Sequence, residues 1–243
     1  MWKIVGATIQ GTSHIKDAIP CQDFIKYSER NNVYCIALAD GAGSCSHSAI
    51  GAEIACQTIC NMILRDFDVI YNLEESKFQQ KLIHAIRTRV GIKAKKEGVT
   101  KSEFSSTLLF VAHQDNKFII GHIGDGVIGY IKDDTLLVLS EPENGEFANT
   151  TYFFTTKNYK RHLRIKKGIF EGVKAFFLMS DGSAECLFHK KDKVFSKALF
   201  TISNWINEYD EQIVNMAIKE NMGDLFISHT SDDCSLIMIQ KST

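Results

Sequence analysis

Three times along this chain an apolar run long enough for a strand ends in aspartate and then glycine: VYCIALADG closes on Asp40, KFIIGHIGDG on Asp125 and KAFFLMSDG on Asp181. Runs of this kind fit strands buried on both faces, and strands that each deliver an acid at the C-terminal end place those acids on a common rim. One Asp-Gly pair is ordinary turn chemistry. Three of them, each behind a buried strand, call for a further cause. Desolvating an isolated carboxylate is costly, and neighbouring carboxylates raise one another's pKa. A hard divalent cation relieves both costs, because Mg²⁺ or Mn²⁺ prefers carboxylate, backbone carbonyl and water oxygens. Glycine, with no Cβ, lets the Asp-Gly carbonyl turn toward such an ion.

Two further segments fit the plan. Asp23 stands in PCQDF, on what reads as the strand neighbouring that of Asp40, and TSDDCSLIMI puts Asp232 and Asp233 directly before the last strand. The Gly-rich stretch after Asp40, ADGAGSCSHS, has no following Lys and does not open a βαβ unit, so neither a Walker-type nor a dinucleotide-binding loop is supported. No Ser-His-Asp or Cys-based nucleophile arrangement stands out. The seven cysteines include no C-x-x-C pair; Cys56 and Cys60 lie four apart without a second ligand pair, which favours free thiols in a reducing compartment.

The 28 basic and 29 acidic side chains give a formal net charge of −1, which leaves no electrostatic footprint for nucleic acid or an anionic membrane. The N-terminal MWKIVGATIQG lacks the pattern of a signal peptide, and no apolar run approaches the roughly 18 residues needed to span a bilayer. A cytoplasmic protein is expected. With two prolines and no Ser/Gly/Pro-rich linker, residues 1–243 are expected to form one domain.

Segments 2–10, 21–28 and 33–39 read as strands, followed by helices at about 46–66 and 73–96, the second with Asn72 as N-cap and Glu75 three residues on. Four β-rich runs divided by QDN, GDG and KDD predict an antiparallel meander at about 105–139, forming a single sheet. Segment 140–172 reads as an irregular flap carrying short strands. A strand at 173–180, helices at about 193–206 and 209–221 and a strand at 234–240 complete the pattern. Helices in two pairs around antiparallel strands predict an α+β fold.

The ordered set GTSHIKDAIPCQDF, LADGAGS, SSTLLF, GHIGDGVIGY, LMSDG and SDDCSLIMI resembles the motifs of the metal-dependent serine/threonine protein phosphatases of type 2C, in their compact bacterial-type branch. The resemblance covers nearly the whole chain. It implies a four-layer α-β-β-α sandwich of two stacked antiparallel sheets, with a binuclear Mn²⁺/Mg²⁺ centre at one edge. By that likeness Asp40 would bridge two ions and the Gly41 carbonyl would bind one of them. Asp181 and Asp232 would hold the other, and Asp23 would bind directly or through water. Asp125, with Asp181, looks like part of a third, weaker site, and Asp233 stands where many relatives have a structural Asn. The implied reaction is attack of a metal-bridging water on a phosphomonoester, in signal transduction, on a phosphorylated protein that is the product of a serine/threonine kinase.

The chain also departs from the family pattern. Where many relatives grip the phosphate with Arg, it has Ala18; His14 and Lys16 lie nearby and are the candidate phosphate-binding residues. Where some relatives have a His after the first Asp-Gly, it has Ala42. His47 reads as an exposed helix-start residue and His122 as a core histidine. Gly126 replaces a common Ser. These gaps keep open a second reading, a catalytically weak or inactive phosphatase-like domain that binds a phosphoprotein or signalling partner, and a third, hydrolysis of a small phosphomonoester.

Overall fold

The apolar run at residues 33–39 is buried along its whole length because it is covered on both sides. Tyr34, Ile36 and Leu38 point into a core shared with a second sheet, while Val33, Cys35, Ala37 and Ala39 point into a core shared with helices. The computed structural model describes residues 1–145 and 151–242, and the same alternation recurs through it.

In chain order the strands are β1 (Trp2–Ile9), β2 (Phe24–Arg30), β3 (Val33–Ala39), β4 (Leu108–Gln114), β5 (Lys117–Ile123), β6 (Val127–Lys132), β7 (Thr135–Ser140), β8 (Arg164–Ile169), β9 (Val173–Met179), β10 (Phe188–His189), β11 (Val194–Phe195) and β12 (Cys234–Lys241). The helices are α1 (Thr12–Lys16), α2 (Ser48–Asn72), α3 (Glu75–Glu97), α4 (Tyr159–His162), α5 (Asp181–Leu187), α6 (Ala198–Glu208) and α7 (Glu211–Leu225). One antiparallel sheet runs β1-β12-β9-β6-β7 and the other β2-β3-β4-β5-β8. Ile36, Leu109 and Ile120 of the second meet Ile128, Leu178 and Ile237 of the first between the sheets. α2 and α3 cover the outer face of one sheet, and α6 and α7 that of the other. This is the expected α-β-β-α sandwich.

Edge strand β1 is protected from edge-to-edge pairing by α7: Glu211 Oε1 accepts from Ile4 N–H (2.6 Å) and Asn215 Oδ1 from Gly6 N–H (2.7 Å). Those side chains are one helical turn apart and so reach successive outward N–H groups. No helix among the described residues is long and apolar enough to cross a membrane.

Three expectations are corrected. Residues 105–139 are not one sheet: β4 and β5 belong to one and β6 and β7 to the other. The GDG separator has hairpin chemistry, yet it carries the chain across between the sheets. Asn72 is not the cap of α3; α2 bends at Asp66 (φ −135°, ψ 31°) and continues to Asn72, whose amide donates back to the Asp68 carbonyl, and Glu74 precedes α3. The helix placed at 193 begins at Ala198, because Val194–Phe195 pairs with Phe188–His189 in a short hairpin. Segment 140–172 does carry short elements, α4 and β8, with β8 completing a sheet edge; its residues 146–150 lie outside the described residues.

Two helical glycines have opposite consequences. A Cβ on Gly51 in α2 would stand 1.9 Å from the Phe104 carbonyl oxygen, whereas one on Gly223 in α7 would meet nothing within 4 Å. Alanine gains about 1 kcal/mol of helix propensity at either position, but overpacking against a backbone atom costs about 1–3 kcal/mol. Gly51→Ala is therefore expected to lower the urea midpoint and Gly223→Ala to raise it, with unchanged m-values.

Candidate metal centre

Each acid of the cluster is placed by the end of a strand. Asp40 follows β3, Asp125 sits in the β5–β6 crossover, Asp181 opens α5 just after β9, Asp232 precedes β12, and Asp23 precedes β2. Because β3, β9 and β12 lie inside their sheets, the stacked layers bring these ends to one edge. Carboxylate oxygens of Asp40, Asp125 and Asp181 lie within 4.8 Å of one another. Asp40, Gly41, Asp125, Asp181 and Asp232 line one cleft of about 680 Å³, with Asp23 buried beneath at 7% exposure.

The backbone around Asp40 is held on both sides. Its N–H donates to Thr107 Oγ1 (2.9 Å), its carbonyl accepts from Thr107 N–H (2.8 Å), and Gly41 N–H donates to the Gln22 carbonyl (3.1 Å). The clamp uses the Asp40 carbonyl and leaves out that of Gly41, which the family resemblance assigns to an ion. In the crossover, Gly124 has φ +121°, and a Cβ there would come 2.5 Å from Thr107 Cγ2, so the turn that presents Asp125 requires glycine at this point.

The electrostatics are those of acids forced together. Burial pushes Asp40 well above the usual carboxylate range, and the charges of Asp23, Asp181 and Asp232 push further. Asp181 is raised by burial and then by Asp125, and Asp232 by burial and then by Asp181. Asp23 is raised to about 8, chiefly by burial; the Ser235 and Ser180 hydroxyls lie close enough to oppose this, but neither Asp23 oxygen has a partner in hydrogen-bonding geometry. Asp125 is raised by burial, partly offset by the positive charge of Lys190, and its Oδ1 is also buried without a partner. Orphaned carboxylate oxygens packed against like charge are the donor set a hard cation takes, so the residues fit the expected metal.

Asp233 is treated differently. It is 2% exposed, and its oxygens accept from Gly11 N–H (2.7 Å), Gln22 N–H (2.6 Å) and His14 Nδ1 (2.9 Å). It ties the 11–22 loop to the start of β12, in keeping with a structural role. His14 thus reaches the cleft with one ring nitrogen already engaged. Lys16 is exposed on α1 and does not line the cleft, and neither does Ala18, exposed at φ 53°. Ala42 lines the wall. His47 packs on Phe104 outside the cleft, and His122 is fully buried, bonded to Ser140 Oγ (2.9 Å) and Arg164 Nη2 (3.0 Å).

Sequence reasoning missed Lys190. It lies in the turn of the β10–β11 hairpin and is, among the described residues, the one Lys or Arg that lines the cleft. HKKDKV reads as a charged turn, but nothing local says which way the turn faces. The 140–172 flap supplies Asn144, Thr151 and Phe153 to the wall, residues that no local motif singles out; the antiparallel Asn144–Thr151 bridge sets them there.

Residues 10–222 match the protein phosphatase 2C family, so the chain belongs to that family. Serine/threonine-protein phosphatase 3 of Escherichia coli strain K12 is 26% identical over 162 residues, a match spanning 65% of this chain and 64% of that relative's length. Two solved structures share the fold. The serine/threonine phosphatase of S. agalactiae has a TM-score of 0.64 at 17% identity over 99% of each chain. Serine/threonine phosphatase Stp1 of Staphylococcus aureus has a TM-score of 0.67 at 14% identity, covering 100% of this chain and 96% of that one.

The cluster carries a pH signature. Asp23, with an ordinary value of 3.8 raised to about 8, binds protons in the native state that the unfolded chain has already lost. In cation-free buffer stability is therefore greatest at the acid end of that window and falls as pH rises through it. Urea midpoints between pH 5 and pH 8 should fall for the wild type, fall less for Asp23→Asn, and recover at pH 8 when Mn²⁺ is added to the wild type.

Proposed function

We propose that the chain is a metal-dependent phosphoprotein serine/threonine phosphatase. The observation that carries this reading is the convergence of Asp40, Asp125 and Asp181, with Asp232 beside them and Asp23 beneath, in a cleft open to a phosphate group. Mn²⁺ or Mg²⁺ held there, as two ions with a weaker third near Asp125, would supply Lewis acidity toward water and the phosphoryl oxygens. Asp40, central to the cluster, would hold the ions together with Asp181, Asp232, Asp23 and the Gly41 carbonyl. The Thr107 clamp fixes the Asp40 backbone, so its carboxylate is aimed before any ligand arrives. Asp233 keeps His14 at the rim, where its second ring nitrogen is available to a phosphate oxygen. Lys190 supplies the cation that Ala18 cannot, while Lys16 does not line the cleft. The substrate is a phosphorylated protein, the product of a serine/threonine kinase.

Mn²⁺-dependent release of phosphate from a phosphothreonine peptide tests the reading. Asp40→Asn should cost at least about a hundredfold in kcat/KM, since metal ions supply several kcal/mol of transition-state stabilisation. Retained activity in that variant, or none with any divalent metal, sinks the reading. Lys190→Ala should raise KM about tenfold with kcat changed little, the loss expected for one charge-assisted contact made in both ground and transition states; an unchanged KM removes Lys190 from phosphate binding. The missing Arg gives the non-catalytic reading its footing, and calorimetry separates the two, because a binding module without metal function would take up no Mn²⁺.

A further inference from the structure

Away from the acidic cleft, α3 and α4 enclose a pocket of about 320 Å³ whose polar lining is Gln80, His84, Arg87, Thr88, Lys101 and Tyr159, with no carboxylate among them. Gln80, His84, Arg87 and Thr88 lie on one face of α3 by their three- and four-residue spacings. Lys101 comes from the 3-10 turn Lys101–Phe104, and Tyr159 from α4. A Cβ on Gly91 would stand 2.8 Å from Lys101 Cε and 3.1 Å from Nζ, so the missing side chain there lets the lysine lie across α3.

Arg87 is half-buried and, among the described residues, has no acid paired with it. Its Nε and Nη2 donate to the Phe154 carbonyl (3.2 and 2.9 Å), Nη2 also to that of Thr156 (2.9 Å), and its guanidinium lies over the Tyr159 ring at 4.9 Å. Burial lowers its pKa, and no neighbouring carboxylate opposes that shift. Nη1 is outside these bonds. The two cations, Arg87 and Lys101, repel one another around one hollow unless an anion joins them, and the His84 imidazole adds a further ring N–H donor. Donors arriving from three elements suit a tetrahedral oxyanion better than a flat carboxylate. The segment that Arg87 grips continues into the cleft wall, where Phe153 stands, and is pinned by Phe154 N–H to the Ser106 carbonyl (3.1 Å).

We propose that this pocket is a second phosphate-group site, distinct from the acidic cleft, formed by Arg87, Lys101 and His84. The phosphate comes either from a second phosphorylated residue on the substrate or from free inorganic phosphate. The first source rests on the phosphatase reading above, and the second does not.

Two measurements test it. Inorganic phosphate titrated into the protein without added metal should give saturable amide shifts at His84, Thr88 and Lys101, and Lys101→Ala should weaken that binding about tenfold. In the Mn²⁺-loaded protein, a series of phosphothreonine peptides carrying a phosphoserine at increasing separations should, at one spacing, show a KM about tenfold below the singly phosphorylated peptide. Lys101→Ala and His84→Ala should abolish that advantage while p-nitrophenyl phosphate turnover stays unchanged. Arg87 is left intact because it fastens the flap. Shifts without any peptide advantage support the site with free phosphate as its ligand; a peptide advantage that depends on Lys101 assigns it to the substrate. The absence of both the phosphate-induced shifts and the peptide advantage overturns the proposal. Failure to hydrolyse p-nitrophenyl phosphate would defeat the phosphatase reading, while the titration would still decide the pocket.

Discussion

The architecture turns on five carboxylates that would not gather unaided. Asp23, Asp40, Asp125, Asp181 and Asp232 are partly or wholly desolvated at one edge of the sandwich, and each is raised in pKa by burial first. What holds them there is the burial of the strands behind them. β3, β4, β9 and β12 are covered by the facing sheet on one side and by helices on the other, so their ends cannot retreat without exposing two cores. The hydrophobic packing therefore stabilises a charge arrangement that opposes folding until a cation neutralises it.

Asp232 and Asp233 show how finely that arrangement is divided. They are adjacent in the chain and chemically identical, yet one lines the cleft and the other accepts from Gly11, Gln22 and His14. The difference is direction: the two side chains leave the turn before β12 on different sides, one into the cleft and one into the 11–22 loop. Asp233 meets the backbone of the 11–22 loop and fastens it, and this places Asp23 under the site and His14 at its rim.

The flap is tied at two places. Glu143 donates its N–H to the Gly124 carbonyl (3.0 Å), beside Asp125, and its carboxylate accepts from His162 Nδ1 (2.8 Å) and lies 3.6 Å from Arg164 Nε. Farther along, Arg87 holds the carbonyls of Phe154 and Thr156. Asn144, Thr151 and Phe153 are thereby carried to the cleft wall from a segment with little regular structure of its own. His122, buried behind Arg164, has its pKa lowered well below the usual value by burial and then by the guanidinium, so it stays neutral and serves as a bonded core group.

Much of this was legible in the linear order of residues. Apolar runs ending in Asp-Gly marked Asp40, Asp125 and Asp181, and the acids in PCQDF and TSDDC beside two further strands marked Asp23 and Asp232, because a strand covered on both faces must be apolar throughout and a desolvated acid needs a reason. Helical spacing marked α2, α3, α6 and α7, although Asn72, a good cap by composition, fell inside α2. The GDG turn misled, since hairpin and crossover turns use the same glycines and only strand pairing tells them apart. Lys16 and Lys190 make the same point about charge: the lysine nearer in sequence to the expected phosphate grip faces solvent, and the one 150 residues beyond Asp40 lines the cleft. The sequence by itself determined which groups are too costly to bury alone. The tertiary structure decided which cations, loops and backbone amides stand beside them, because that depends on how the two sheets and their hairpins close in space, and residue order does not encode that locally.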